Sequence, residues 1–319
     1  MKNVFLRFVA TYVVIAAIMV IQKPLFLMFY PGEAGPADFI DIIAHGFSMD
    51  LATAAYLTVI PGIILIISQW IDGRLTSRCL SVYYGLIATL LGLITVVDLV
   101  LYGYWGFRLD MTPLFYFSTS PASAMASANT WELVLGPVAV AVVSIAIYQL
   151  LRFTAGRIPV RPGGSWKRTV VAVVMTALLF IPIRGGFTVS TMNLSRAYFS
   201  QNQHFNHAAI NPAFSLLYSA SHQGKWNKQY NYMTPDEADV AIARLDSITA
   251  VNDSIPISML RTERPDVVMI ILESFSSHLF PSLGGEPVAL KLDSIAATGW
   301  LWDNFYANSF RTDRALTAI

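Results

Sequence analysis

The sequence predicts a polytopic α-helical membrane domain of five spans, followed by the truncated start of an extracytoplasmic α/β domain. Of the 319 residues, 55% are hydrophobic and 13% are charged, whereas ordinary soluble domains carry about 25% charged residues. The long apolar runs fall before Gly185, and the chain beyond it is polar and aromatic. Near the C-terminal end of the sequence, one short apolar run has the pattern of a buried strand.

Five stretches come close to the roughly 20 apolar residues that a helix needs to cross a bilayer. We predict spans at 4–22, 51–69, 80–104, 133–151 and 169–183. The last is short, but it is bounded by Arg168 and Arg184, whose long side chains can reach the interface. The first lacks a small-residue cleavage site and runs into Lys23, so we expect an anchor rather than a cleaved signal peptide.

Basic residues in the short loops predict the orientation, because cytoplasmic loops are enriched in Lys and Arg. One set of loops carries Lys2, Arg7, Arg74, Arg78, Arg152, Arg157, Arg161, Lys167 and Arg168, and the other carries Lys23 and Arg108. This places the N-terminus in the cytoplasm and the chain after residue 184 outside. The net charge of +1 gives no indication of a nucleic-acid partner. The single cysteine, Cys79, excludes an intrachain disulfide.

Asp98 lies within the third predicted span, and a carboxylate at membrane depth usually has a partner or a task. We expect it instead to lie near the outer interface beside Tyr102 and Tyr104, where water can hydrate it. His45 and Asp50 precede the second predicted span. Since one charged residue is clear in the spans and an ion pathway needs several, a transporter is not favoured.

Three regions follow from these patterns: the membrane domain at 1–185, a juxtamembrane segment with a linker helix at 186–264, and an outer domain at 265–319. The aromatic residues of the second region favour a position along the membrane surface. For His204, His207 and His222, packing and hydrogen bonding are favoured over a metal site. Thr234 and Glu237 form a capping-box pattern that predicts the start of the linker helix.

The outer domain contains the candidate chemistry. Residues 267–272 are apolar and predict a strand of a parallel sheet that ends at Glu273, where ligands gather in such sheets. We predict a helix at 287–298, capped by Gly299, and a second strand at 300–306. The polar turn that follows offers two hydroxyls, Ser309 and Thr312. Arg311 and Arg314 beside them could offset phosphate charge.

The five spans, the linker, the Leu-Glu-Ser-Phe sequence at 272–275 and the Arg-Thr turn at 311–312 resemble the lipoteichoic acid synthases. These phosphoglycerol transferases belong to the alkaline phosphatase and sulfatase superfamily. The residues around the two motifs resemble the family's relatives in Bacteroidetes more than the Gram-positive enzymes. The resemblance implies a sulfatase-like outer domain in a bacterial cytoplasmic membrane. Glu273 then matches a metal-binding carboxylate, and Thr312 matches the threonine that contacts the metal and attacks the lipid phosphate.

The resemblance further implies Mn²⁺, with Mg²⁺ as an alternative, phosphatidylglycerol as donor, and an envelope glycan or glycolipid as acceptor. The family's downstream Asp-His ligands have no counterpart here, so we expect a fragment that is inactive alone. A phosphoethanolamine transferase shares the plan but generally has a cysteine-rich outer domain. A sulfatase would need a proline in the turn at 309–313. A non-catalytic membrane anchor or pseudoenzyme of envelope synthesis is the alternative from another class.

Overall fold

The structure is a computed structural model that describes residues 2–119, 121, 129–160, 164–187, 189–222, 233–252, 266, 268, 270, 272 and 275–303. The chain divides into two compact units, Met1–Tyr232 and Met233–Ile319. The first unit is helical and contains the long apolar runs. Each unit is considered by itself below.

The first unit begins with α1 (Lys2–Phe29), α2 (Pro36–Ile67), α3 (Gly73–Trp105) and a short α4 (Thr112–Thr119). It continues with α5 (Thr130–Phe153), α6 (Trp166–Leu178) and α7 (Phe180–Arg184). Within the described residues, five helical segments are long and apolar enough to cross a membrane: α1, α2, α3, α5 extended to Arg157, and α6 together with α7. The five predicted spans are therefore confirmed, although α2 begins at Pro36 rather than at 51.

Side-chain caps explain why these helices begin where they do. The Asp38 carboxylate accepts from the Gly35 N–H at the start of α2 at 2.8 Å, and Asp72 accepts from the Arg74 N–H at the start of α3 at 3.0 Å. Asn129 and Glu132 form a reciprocal capping box at the start of α5. Such caps satisfy N–H groups that the first helical turn leaves without partners.

Small residues let the helices approach one another closely. α1 packs along α2, α3 packs along α5, and α6 with α7 packs on α2. A Cβ atom added at Gly92 would clash with Ser144 of α5, and one at Gly62 would clash with Thr176 of α6. This agrees with the enrichment of small residues at helix contacts in membranes, where close van der Waals packing drives association.

One end of the bundle, which we call the basic end, brings together the start of α1, the end of α2 and the loop before α6. The Gly164 N–H donates to the Gln69 carbonyl at 2.9 Å, and Trp70 donates to the Thr169 hydroxyl at 3.1 Å. Exposed basic side chains at this end are Lys2, Arg74, Arg78, Arg152, Arg157 and Lys167. Three residues counted above as loop charges, Arg7, Lys23 and Arg108, are instead buried in the bundle.

At the opposite end, α8 (Gln203–Ala209) and α9 (Pro212–His222) pack against the membrane helices. Ala208 and Ala209 are fully buried, and Phe214 is nearly so. α8 and the start of α9 are part of the core, whereas the aromatic residues of this region predict a position along the membrane surface. The small side chains of α8 explain the difference, because they allow its backbone to approach α2.

In the second unit, α10 (Pro235–Asn252) begins at the predicted capping box. The Glu237 carboxylate accepts from the Thr234 N–H at 2.8 Å, and the pKa of Glu237 is lowered chiefly by that bond. A short α11 (Leu290–Ala296) lies within the predicted helix at 287–298. The described residues contain no strand, so the predicted strands at 267–272 and 300–306, which are only partly described, are not shown, nor is the α/β domain.

Candidate functional site: a buried polar network

The residues that we predict from the sequence for metal binding, catalysis and phosphate binding lie outside the described part of the chain. These are Glu273, Ser309, Arg311, Thr312 and Arg314. His278, five residues after Glu273 in the sequence, is exposed in a 3₁₀ turn at Ser277–Leu279. The described residues instead bring charged and polar side chains together inside the membrane domain. We call this set the polar network, and its members are Gln22, Lys23, Asp50, Thr95, Asp98, Arg108 and Asn211.

The first part of the network is an ion pair between α1 and α2. Lys23 Nζ contacts Asp50 Oδ2, and the two residues are 1% and 0% exposed. The other carboxylate oxygen, Asp50 Oδ1, accepts from the Asn211 amide at 2.9 Å. Because an isolated charge in an apolar interior is costly, this carboxylate is stabilised by both a cation and a neutral donor.

Asn211 joins the juxtamembrane helices to the bundle. Its side-chain oxygen accepts from the Phe214 N–H at 3.0 Å, as an N-cap does at the start of α9. Its side-chain nitrogen contacts Gln22 Oε1 at 3.5 Å in addition to Asp50. Gln22 in turn donates to the Thr95 hydroxyl of α3 at 2.8 Å. A single amide therefore links α1, α2 and α9.

The second ion pair joins α3 to the segment after it. Arg108 contacts Asp98 through both carboxylate oxygens, at 3.1 Å from Nε and 2.9 Å from the terminal nitrogen. The Leu109 N–H also donates to Asp98, at 2.8 Å. Asp98 is 2% exposed, so the expectation that water hydrates it at the interface is wrong. The chain turns back after α3 at Gly106, whose φ of +66° suits glycine, and delivers Arg108 to the carboxylate.

Arg108 also contacts two other elements. Its guanidinium lies 4.3 Å from the centre of the Phe26 ring, which is a cation–π arrangement. The same group donates to the carbonyl oxygen of His207 in α8 at 3.2 Å. Like Asn211, Arg108 thus connects the membrane helices with the juxtamembrane segment.

Two histidines and a tyrosine form a chain beside the network. His204 Nε2 donates to the Tyr30 carbonyl at 2.9 Å, so its Nδ1 accepts from the Tyr102 hydroxyl at 3.4 Å. His207 Nε2 accepts from the Gln203 amide at 3.0 Å, so its Nδ1–H donates to Tyr102 at 3.1 Å. These partners require a neutral imidazole at His207. Burial, and then the positive charge of Arg108, lowers the pKa of His207.

The network is balanced in charge, with two cations and two carboxylates. The sequence shows one clear charge within the predicted spans, whereas the polar network contains four buried charged residues, and each of these four pairs with another. A Cβ atom at Gly46 would clash with Lys23 and with the Ala209 carbonyl, so there is little space around the first pair. Within the described ranges, no group of three or more His, Cys, Asp or Glu side chains could hold a metal ion.

Sequence reasoning missed most of this network because it assigned Lys23, Asp50 and Arg108 to loops. One signal could have identified the first pair. Apolar residues resume two positions after Lys23 and continue to Phe29, so the helix could be extended through the lysine and bury it. The contact with Asn211 joins residues that are distant in the sequence, and no local pattern predicts it.

We expect removal of either member of the first pair to destabilise the protein strongly. Lys23→Met leaves Asp50 without its cation, and Asp50→Asn leaves Lys23 charged in an apolar site, each costing about 3–5 kcal/mol. The double variant removes both charges and should lose less stability than the two single losses added together. Thermal unfolding in detergent measures this, with the exposed Lys167→Met as control. Additive losses would show that the pair is not coupled.

His207 should make stability depend on pH. Because the pKa of His207 in the folded protein lies below its ordinary value of about 6.5, the unfolded chain binds the proton more readily than the folded one. Stability is therefore full above about pH 6.5 and falls as the pH drops below that value. We expect the unfolding temperature of the wild type to fall more between pH 7.5 and 5.5 than that of His207→Gln. Equal slopes would contradict this role, and the exposed His222→Gln is the control.

Comparison with known proteins assigns no family. No protein-family model matches the chain, and no solved structure matches it. A function for this protein therefore has to rest on its own residues: the membrane domain that the structure describes, and the motifs of the outer region.

Proposed function

We propose that this chain belongs to a membrane-anchored, metal-dependent phosphoglycerol transferase, with Thr312 as nucleophile and Glu273 as metal ligand. The observation that carries the proposal is the combination of two short segments, Leu-Glu-Ser-Phe at 272–275 and Arg-Thr-Asp-Arg at 311–314, in a chain that begins with five membrane helices. The first segment ends a run of strand-forming residues, and the second offers a hydroxyl between two arginines.

The donor set fits a hard divalent cation. Glu273 supplies a carboxylate and Thr312 a hydroxyl, and oxygen ligands of this kind suit Mn²⁺ or Mg²⁺. Two ligands are fewer than either ion takes, so the remaining donors come from elsewhere in the protein or from water. When bound, the ion would stabilise the alkoxide of the threonine, a weak nucleophile at neutral pH.

The reaction balances in two steps. The Thr312 hydroxyl loses its proton, its oxygen bonds to the phosphorus of phosphatidylglycerol, and the bond to diacylglycerol breaks, with a proton passing to the diacylglycerol oxygen. The oxygen of an acceptor hydroxyl on an envelope glycan or glycolipid then bonds to the phosphorus as that hydroxyl loses its proton. The bond between the phosphorus and the Thr312 oxygen breaks, and the threonine recovers a proton. Arg311 and Arg314 would offset the phosphoryl charge in both steps.

A membrane domain suits this chemistry because the donor is a lipid. We further propose that the basic end faces the cytoplasm, since its exposed lysines and arginines follow the positive-inside rule. The opposite end, with α8 and α9, then lies outside a bacterial cytoplasmic membrane. This orientation brings the candidate nucleophile to the leaflet that supplies the acceptor.

Substitution of Thr312 tests the chemistry. We expect membranes containing the product of the complete native gene, supplied with Mn²⁺ and headgroup-labelled phosphatidylglycerol, to release diacylglycerol and to label the protein. Thr312→Ala should lower both by about a thousandfold or more, because a covalent step loses its nucleophile. Ser309→Ala, which removes the other hydroxyl of the turn, is the matched control and should retain activity.

Three outcomes would contradict the proposal. Full activity in Thr312→Ala would exclude this threonine as nucleophile. Consumption of labelled phosphatidylethanolamine in place of phosphatidylglycerol would favour a phosphoethanolamine transferase. A native reading frame that ends at codon 319 and whose product labels with neither lipid would favour the non-catalytic membrane anchor.

The orientation has its own test by cysteine labelling. After Cys79→Ser, a single cysteine is placed at Thr154, exposed at the basic end, or at Gln201, exposed at the opposite end. A membrane-impermeant maleimide should label Gln201→Cys in intact cells and Thr154→Cys after permeabilisation alone. The reverse pattern would place the outer region in the cytoplasm and overturn the proposed orientation.

A further inference from the structure

We propose that the membrane domain binds an anionic phospholipid in a cleft between α1 and the α6–α7 pair, with an acyl chain in the cleft and the phosphate at Arg184 and Arg196. This site lies in the first unit. It does not depend on the transferase proposal, because it involves neither Glu273 nor Thr312.

The cleft exists because α1 and α6 both pack on α2 and leave space between them. Its volume is about 640 Å³, within the range of about 300–1,000 Å³ that is typical of small-molecule sites. Val9 and Tyr12 of α1 form one wall, Met175 and Leu178 of α6 form the other, and Leu51 of α2 lies between them. Near Gly62, the side chains of Phe8 in α1 and Thr176 in α6 both come close to α2.

The surface of the cleft is apolar. The Tyr12 hydroxyl, one of the few polar groups there, donates to the Leu51 carbonyl at 3.3 Å and so has a protein partner. Walls of this kind offer water almost no hydrogen bonds, and an empty space would forfeit dispersion contacts. Since Leu178 is 54% exposed on the outer face of α6, the surrounding hydrocarbon can reach the cleft. A lipid chain is therefore the occupant that its chemistry and its environment favour.

Two arginines lie at the end of the cleft that is remote from the basic end. Gly185 and Gly186 line that end, with φ values of +92° and +99°. The Arg196 guanidinium donates to the Gly185 carbonyl at 2.8 Å, and the Arg184 guanidinium donates to the Gly186 carbonyl at 3.2 Å. Both arginines are half-buried. Two positive charges thus lie within hydrogen-bonding distance of backbone that forms the cleft.

An apolar cleft that ends in two guanidinium groups matches the two parts of a phospholipid. Guanidinium presents planar, forked donors that suit phosphate oxygens. Basic pockets between membrane helices recognise anionic headgroups in the same way. A headgroup with a net negative charge is favoured over a zwitterionic one, because the ammonium of the latter would meet two like charges.

Native mass spectrometry of the purified chain in detergent tests the site directly. Phosphatidylglycerol and phosphatidylethanolamine with identical acyl chains are the probes. We expect the wild type to bind phosphatidylglycerol about tenfold more tightly, as two interfacial arginines would give. Diacylglycerol with the same chains, which lacks the phosphate, should bind more weakly than phosphatidylglycerol.

Variants identify the residues. Arg184→Gln combined with Arg196→Gln should abolish the preference for phosphatidylglycerol. The matched control, Arg74→Gln with Arg78→Gln, removes two exposed arginines at the basic end and should retain the preference. Because Arg196 also donates to the Ser190 carbonyl at 3.1 Å, the loop could unfold with its loss. Arg184→Gln alone, expected to lower the preference about threefold, addresses that possibility.

A substitution that fills the cleft distinguishes binding of the acyl chain from binding of the headgroup. Val9→Trp should weaken binding of phosphatidylglycerol and phosphatidylethanolamine alike. Equal affinity of the wild type for the two phospholipids would overturn the proposal. So would an undiminished preference in Arg184→Gln and in the double variant, or unchanged binding in Val9→Trp.

Discussion

Every charge that this membrane domain buries in its polar network has to be paired, and the architecture at the non-basic end depends on that constraint. Lys23 and Asp50 lie on different helices, so their contact fixes the position of α1 along α2. Asp98 is paired by a residue beyond the end of α3, which requires the chain to turn back into the bundle. An unpaired charge at either place would cost several kcal/mol, comparable with much of the net stability of a domain.

The same constraint explains the position of the juxtamembrane segment. A carboxylate has two oxygens, and Lys23 serves one of those of Asp50, while the amide of Asn211 serves the other. The Arg108 guanidinium similarly extends beyond Asp98 to a carbonyl of α8. The segment at 203–222 therefore completes the hydrogen bonding of both pairs.

The sequence could predict the parts of this fold that depend on local patterns. Five apolar runs identified the five membrane helices, and Thr234 with Glu237 identified the start of α10. The sequence could not predict that Asp98 is paired, because the apolar run around it and the nearby tyrosines fit a hydrated carboxylate equally well. The contact between Asp50 and Asn211 depends on the complete fold. For Glu273 and Thr312, the prediction rests on a resemblance in two short segments, and these residues lie outside the described ranges.

The two features at the non-basic end differ in a way that suggests separate roles. The polar network is buried, balanced in charge and closely packed, so a ligand could enter it only by breaking an ion pair. The cleft is open and apolar, and arginines lie at its end rather than along its walls. Binding there requires no rearrangement of the network, although both features share α1 and α2. A domain that fixes its helices with internal ion pairs can therefore keep a neighbouring surface open to lipid without losing its structure.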